Sequence, residues 1–156
     1  FDPRTNTIRL SNAVYSSTSV ASVGVAAHEA GHAVQYAVGY FPIRLRAAII
    51  PVTQFGSMAA FPLIILGLFM NSGILIDLGI WAFALSTVFQ LVTLPVEYNA
   101  SHRAVTLLDS TGILAGQEVG QTRSVLNAAA LTYVAAAAAS ILQLLRLLMI
   151  FNRRRD

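Results

Sequence analysis

The sequence contains no cysteine and no lysine, and only 11% of its 156 residues are charged. The missing cysteine excludes disulfides, thiolate metal sites and a cysteine nucleophile. The low charge, combined with 56% hydrophobic residues, is typical of a membrane protein and excludes an ordinary soluble domain. All ten basic residues are arginines that flank apolar runs, so a nucleic-acid-binding surface is not expected.

Three long apolar stretches are present, at residues 47–70, 74–94 and 125–151. The first has no charged residue, and at about 1.5 Å per residue it is long enough to cross a hydrocarbon core of about 30 Å. The second has Asp77 near its start and is expected to end before Pro95. The sequence therefore predicts a mostly α-helical integral membrane protein with about three membrane-spanning helices.

We expect residues 1–156 to form a single membrane domain in four parts. Residues 1–42 would hold one short strand, at 7–10, and an active-site helix. A two-span hairpin would follow at 43–94, then a helix and loop at 95–124, and the third apolar helix at 125–152. The alternation of polar and apolar residues predicts the strand, whose edge could pair with an extended substrate.

The segment VAAHEAGHAVQYA holds two of the three histidines, His28 and His32, with Glu29 between them. Serines at 16, 17 and 19 are potential N-caps, and Gly39 is a potential stop, so the segment is predicted to lie within one helix. Residues four apart share a helix face, so both imidazoles can bind one ion. The pattern H-E-x-x-H on a helix is the signature of zinc metallopeptidases, with the glutamate as general base.

A different interpretation is a membrane protein without catalytic activity, in which zinc, or no metal, only holds helices together. A closed structural zinc site would need a fourth protein ligand and would not need Glu29. The neighbouring residues of the helix are mostly apolar. Two imidazoles and a carboxylate buried between them without partners would cost several kcal/mol of folding free energy, so a bound metal is favoured.

A catalytic zinc usually has three protein ligands, and the remaining candidates are Glu97, His102, Asp109 and Glu118. Two membrane crossings return the chain to its original side just before Glu97, which makes this residue the favoured third ligand. Asp109 is the rival, and it would place the protein among intramembrane site-2-type zinc proteases.

Other residues of the 95–124 segment could support the site. Ser101 is four residues after Glu97, on the same helix face, and could hydrogen-bond a metal ligand. His102 points about 140° away, which suits an interfacial or helix-end position, and it is also a candidate for stabilising the substrate oxyanion. Tyr133 is a second candidate for that role, with helix packing or a position at the membrane interface as the alternative.

Four segments in this order, DPRTNTIRLS, VAAHEAGHAVQYA, LPVEYNASHRA and VLNAAALTYVAAA, resemble the YugP-type membrane zinc metallopeptidases. The resemblance implies a neutral zinc peptidase that acts on polypeptides, with His28, His32 and Glu97 as Zn²⁺ ligands and Glu29 as the base. It also implies an N-terminal membrane segment ahead of this chain. The site is more remotely similar to HtpX-like peptidases, which have an aspartate where this chain has Ser101.

The distribution of arginines predicts the orientation of the site. Arg44, Arg46, Arg103 and Arg123 lie on the side of the proposed site, which indicates a cytoplasmic face by the positive-inside tendency. Arginines at 153–155 favour the opposite orientation if the third helix crosses fully.

Overall fold

A computed structural model describes residues 1–152, and helices dominate it. The arginines at 153–155 lie outside the described residues. The helices are α1 (Asn12–Tyr15), α2 (Val20–Ala37), α3 (Phe41–Phe69), α4 (Gly73–Ser110) and α5 (Gln117–Asn152). The predicted mostly α-helical class is confirmed.

Helix α2 has the ends that its sequence predicts. Its N-cap is Ser19, whose side-chain oxygen accepts a hydrogen bond from the Ser22 backbone N–H at 3.2 Å. After the helix, Gly39 takes a positive φ of 68°, and the Tyr40 N–H returns to the Gln35 carbonyl oxygen at 2.9 Å. This closure is that of a glycine-terminated helix, and it fixes the length of the segment that carries both histidines.

Helices α3, α4 and α5 are each long and apolar enough to cross a membrane, as the three apolar stretches predict. Many of their large hydrophobic side chains are exposed, including Phe55, Met58, Phe69 and Trp81. Such a surface suits contact with lipid rather than with water. Pro51 and Pro62 lie inside α3 without ending it.

The predicted helix boundary at Pro95 is wrong, because α4 continues through this proline as one helix. Proline in a helix interior removes one hydrogen bond and costs about 3 kcal/mol. One face of the turns that follow is buried, since Val96, Ala100 and Ala104 have no exposed surface. We attribute the continuation to this packing, which offsets the local cost. The Tyr40 hydroxyl also lies 3.5 Å from the Pro95 carbonyl oxygen.

The predicted strand at 7–10 is also wrong, since the structure has no strand within residues 1–152. The backbone of Asp2 pairs with that of Thr7 instead, through hydrogen bonds of 2.9 and 3.2 Å that close a turn. The Asp2 side chain further accepts a hydrogen bond from the Arg4 N–H at 3.0 Å. Local turn contacts have therefore replaced the extended edge expected to pair with a substrate.

The chain divides into two compact units. The first consists of Phe1–Arg44 and Leu94–Thr132, and its buried cluster of Ala104, Val105 and Leu126 packs with Ala27 and Val119. The second consists of Leu45–Thr93 and the described residues from Tyr133 onward, around a buried cluster of Ile64, Ile80 and Leu147. All the residues discussed below for the metal site, except Tyr133, belong to the first unit.

Helices α2 and α4 come into close contact at Gly31. A Cβ atom at this position would lie 2.5 Å from the Ala100 carbonyl oxygen, and backbone atoms cannot yield as a side chain can. Small residues that let two backbones approach are typical of helix contacts in membrane proteins. Gly31 therefore sets the spacing between the helix of the histidines and the helix of Glu97.

We expect Gly31→Ala to destabilise the protein by about 1–3 kcal/mol, because the added methyl group forces α2 away from α4. The measurement is thermal unfolding in detergent. Gly120→Ala is the matched control, since a Cβ there meets nothing within 4 Å and alanine is the better helix former. Equal unfolding temperatures for Gly31→Ala and the wild type would contradict the close contact.

Candidate metal centre

Helices α2 and α4 bring His28, His32 and Glu97 together. One potential ligand atom from each of the three residues lies within 4.8 Å of the others. The Nε2 atom of His28 is 3.2 Å from Oε2 of Glu97, and Nε2 of His32 is 3.7 Å from the same oxygen. The two imidazole rings are nearly perpendicular, with centroids 4.7 Å apart. Both rings thus direct the same nitrogen towards one carboxylate oxygen.

These distances fit a tetrahedral zinc ion. Ligands about 2.0–2.1 Å from zinc at tetrahedral angles are about 3.4 Å apart, close to both observed nitrogen–oxygen separations. The Glu97 side chain is only 4% exposed, and burial of a carboxylate is costly without a nearby positive charge. The two histidines and Glu97 are therefore suited to hold Zn²⁺.

The second nitrogen of each histidine also has a partner. Nδ1 of His28 lies 3.1 Å from the Ser101 hydroxyl, and Nδ1 of His32 lies 2.9 Å from Oε1 of Gln35. Partners at Nδ1 orient a histidine so that Nε2 can bind a metal. The structure thus places Ser101 against His28, on the helix face that the sequence predicted.

Sequence reasoning missed Gln35. Its side chain is completely buried, and its Nε2 donates to the Val96 carbonyl oxygen at 2.8 Å and to Oδ1 of Asn99 at 3.0 Å. A signal was available, because Gln35 lies three residues after His32 and so neighbours it on the surface of a largely apolar helix.

The other predicted site residues lie outside the three-residue cluster. Glu29 is partly exposed, and its carboxylate lies beside the backbone nitrogen of Phe1. His102 is exposed and, with Asn99 and Arg103, lines a cavity of about 350 Å³. Tyr133 belongs to the second unit. The roles of Glu29 as base and of His102 and Tyr133 as oxyanion donors stay predictions.

The rival third ligands are not part of the cluster either. Asp109 lies near the C-terminal end of α4 and Glu118 near the start of α5, and both are exposed. Within residues 1–152, the structure groups Glu97 with the two histidines.

Two histidines and one glutamate are the ligands of one class of catalytic zinc sites. This protein groups the same three residue types and has three helices that are long and apolar enough to span a membrane. Residues 1–152 match the family described as "Putative neutral zinc metallopeptidase", and the chain belongs to this family. It is 46% identical over 156 residues to "Putative membrane protease YugP" of Bacillus subtilis (strain 168), a match that covers the whole chain and 69% of that relative. No solved structure matches the chain.

We expect the wild-type protein to bind about one zinc per chain, as a single three-ligand site would. Glu97→Ala should lose most of this zinc, because it removes the oxygen on which both histidines converge. Asp109→Ala is the matched control and should keep it. Metal analysis of the purified proteins measures the ratio, and loss of zinc from Asp109→Ala alone would contradict the assignment of Glu97.

Proposed function

We propose that this protein is a membrane-bound zinc metalloendopeptidase that hydrolyses peptide bonds in polypeptide substrates. His28, His32 and Glu97 would hold Zn²⁺, and Glu29 would act as the general base. The observation that carries the proposal is the convergence of both Nε2 atoms on Oε2 of Glu97, at 3.2 and 3.7 Å. Membership of the zinc metallopeptidase family supports it.

The proposed mechanism assigns proton transfer to the α2 helix. When bound, zinc polarises a carbonyl group and lowers the pKa of water, so that water attacks at neutral pH. Glu29, next to His28 in the chain, accepts the proton of the attacking water and passes it to the leaving amine. Ser101 and Gln35 hold the two histidine rings throughout. His102 and Tyr133 are the candidate donors to the oxyanion.

A catalytic role for the metal is favoured over a purely structural one. A closed structural zinc site has four protein ligands, whereas the cluster found within residues 1–152 has three. Three ligands leave a coordination position for water or a substrate. The position of Glu97 beside the histidines likewise favours this site over an intramembrane one that would use Asp109.

We expect Glu29→Gln to retain zinc but to lower casein hydrolysis by about 100-fold to 10,000-fold, the range that general base catalysis contributes. Glutamine keeps the size of the side chain but accepts no proton at neutral pH. Glu118→Gln is the matched control, because it removes an exposed carboxylate outside the cluster. Undiminished hydrolysis by Glu29→Gln would exclude this residue as the base, and loss of folding with loss of zinc would indicate a structural metal.

We further propose that the site faces the cytoplasm, on the basis of Arg44, Arg103 and Arg123 in the first unit and of Arg46, two residues after Arg44 in the chain. The absence of native cysteine allows a direct test with one introduced thiol. Thr111→Cys places that thiol at an exposed position of the same unit. In intact cells a membrane-impermeant thiol reagent should label it only after permeabilisation. Labelling of intact cells would reverse the proposed orientation.

A further inference from the structure

A chain of hydrogen bonds leads from Arg103 to His32. The Arg103 Nε atom donates to Oδ1 of Asn99 at 2.8 Å, and Nε2 of Gln35 donates to the same oxygen at 3.0 Å. Oε1 of Gln35 then lies 2.9 Å from Nδ1 of His32. Gln35 has no exposed surface, so water cannot readily replace the contacts that Gln35 makes with Asn99 and His32.

The orientation of the Gln35 amide follows from its partners. A guanidinium group can only donate hydrogen bonds, so the Asn99 atom that faces Arg103 is the oxygen. The Val96 carbonyl group can only accept. The Asn99 oxygen and the Val96 carbonyl oxygen are both acceptors, so the NH₂ group of Gln35 must face them. The Gln35 oxygen must then face His32.

This orientation decides which nitrogen of His32 carries the proton. A carbonyl oxygen accepts but cannot donate, so Nδ1 of His32 has to be the protonated nitrogen. In a neutral imidazole the lone pair then lies on Nε2, the atom that faces Glu97. Without Gln35, the Glu97 carboxylate would favour a proton on Nε2, where it would block metal binding.

His28 has no equivalent constraint. Its Nδ1 contacts the Ser101 hydroxyl, and a hydroxyl group can either donate or accept. The two histidines therefore differ at Nδ1: the Gln35 oxygen selects the Nδ1–H tautomer of His32, whereas the Ser101 hydroxyl selects neither tautomer of His28.

We propose that Gln35 is a positioning residue that prepares His32 for metal binding by fixing its Nδ1–H tautomer, with Asn99 and Arg103 holding the Gln35 amide in place. The role in metal binding rests on the proposed function, whereas the tautomer itself does not. The two can consequently be tested separately.

The first readout is the tautomer of His32 in metal-free protein. Nitrogen NMR of histidine-labelled protein is tractable with only three histidines, at a pH where the ring is neutral. We expect a protonated Nδ1 and an unprotonated Nε2 in the wild type. In Gln35→Met, which keeps an unbranched side chain but removes the acceptor, the proton should move largely to Nε2. A wild-type His32 protonated at Nε2 would overturn the proposal whether or not the protein binds zinc.

The second readout is zinc affinity, measured by competition with a chromophoric chelator. Gln35→Met should weaken binding about 10-fold to 100-fold, as the loss of a partner to a metal-binding histidine does. Thr87→Val is the matched control, because it removes a buried hydroxyl that bonds Ser140 in the second unit, and it should leave affinity unchanged.

Variants of Asn99 keep the test decisive if Gln35→Met does not fold. Asn99→Asp retains an acceptor for both Arg103 and Gln35 and should preserve the Nδ1–H tautomer and the affinity. Asn99→Leu removes that acceptor, so it should lower both the fraction of the Nδ1–H tautomer of His32 and the affinity for zinc. The chain of hydrogen bonds would be refuted if the aspartate and leucine variants had the same tautomer and the same affinity. If the wild type showed the Nδ1–H tautomer but bound no zinc, only the metal site would be refuted.

Discussion

The convergence of two imidazoles on the buried carboxylate of Glu97 is the interaction on which the first unit depends. It joins α2 to α4, and it requires the helices to approach as closely as Gly31 allows beside Ala100. A buried carboxylate is tolerated only with compensating partners, so neither helix can shift without a cost in electrostatic free energy. The same contacts therefore fix both the spacing of the two helices and the geometry of the candidate metal site.

Polar side chains around the three candidate ligands are arranged in connected groups. A chain of hydrogen bonds connects Arg103, Asn99 and Gln35 and ends at Nδ1 of His32. The Ser101 hydroxyl contacts Nδ1 of His28. Because an isolated buried polar group is unfavourable, such a network restricts each member to few arrangements. The result is a rigid surrounding for the three candidate ligands, as catalysis by a metal requires.

Local signals predicted much of this arrangement, and they failed where long-range contacts compete with local preference. The caps of α2 and the three apolar runs were correctly interpreted, because each depends on neighbours in the chain. Pro95 was expected to start a helix, but burial of one face of the turns after it lets α4 continue. The strand at 7–10 was expected from alternation alone, and the pairing of Asp2 with Thr7 replaced it.

The sequence by itself determined that the protein is helical and apolar enough to span a membrane, and that His28 and His32 share one face of a helix. Helical periodicity and hydrophobicity suffice for these conclusions. Only the tertiary structure decided that Glu97, rather than Asp109 or Glu118, meets the two histidines. It alone placed the Gln35 amide oxygen against Nδ1 of His32, because the direction of a buried amide depends on partners more than sixty residues away in the chain.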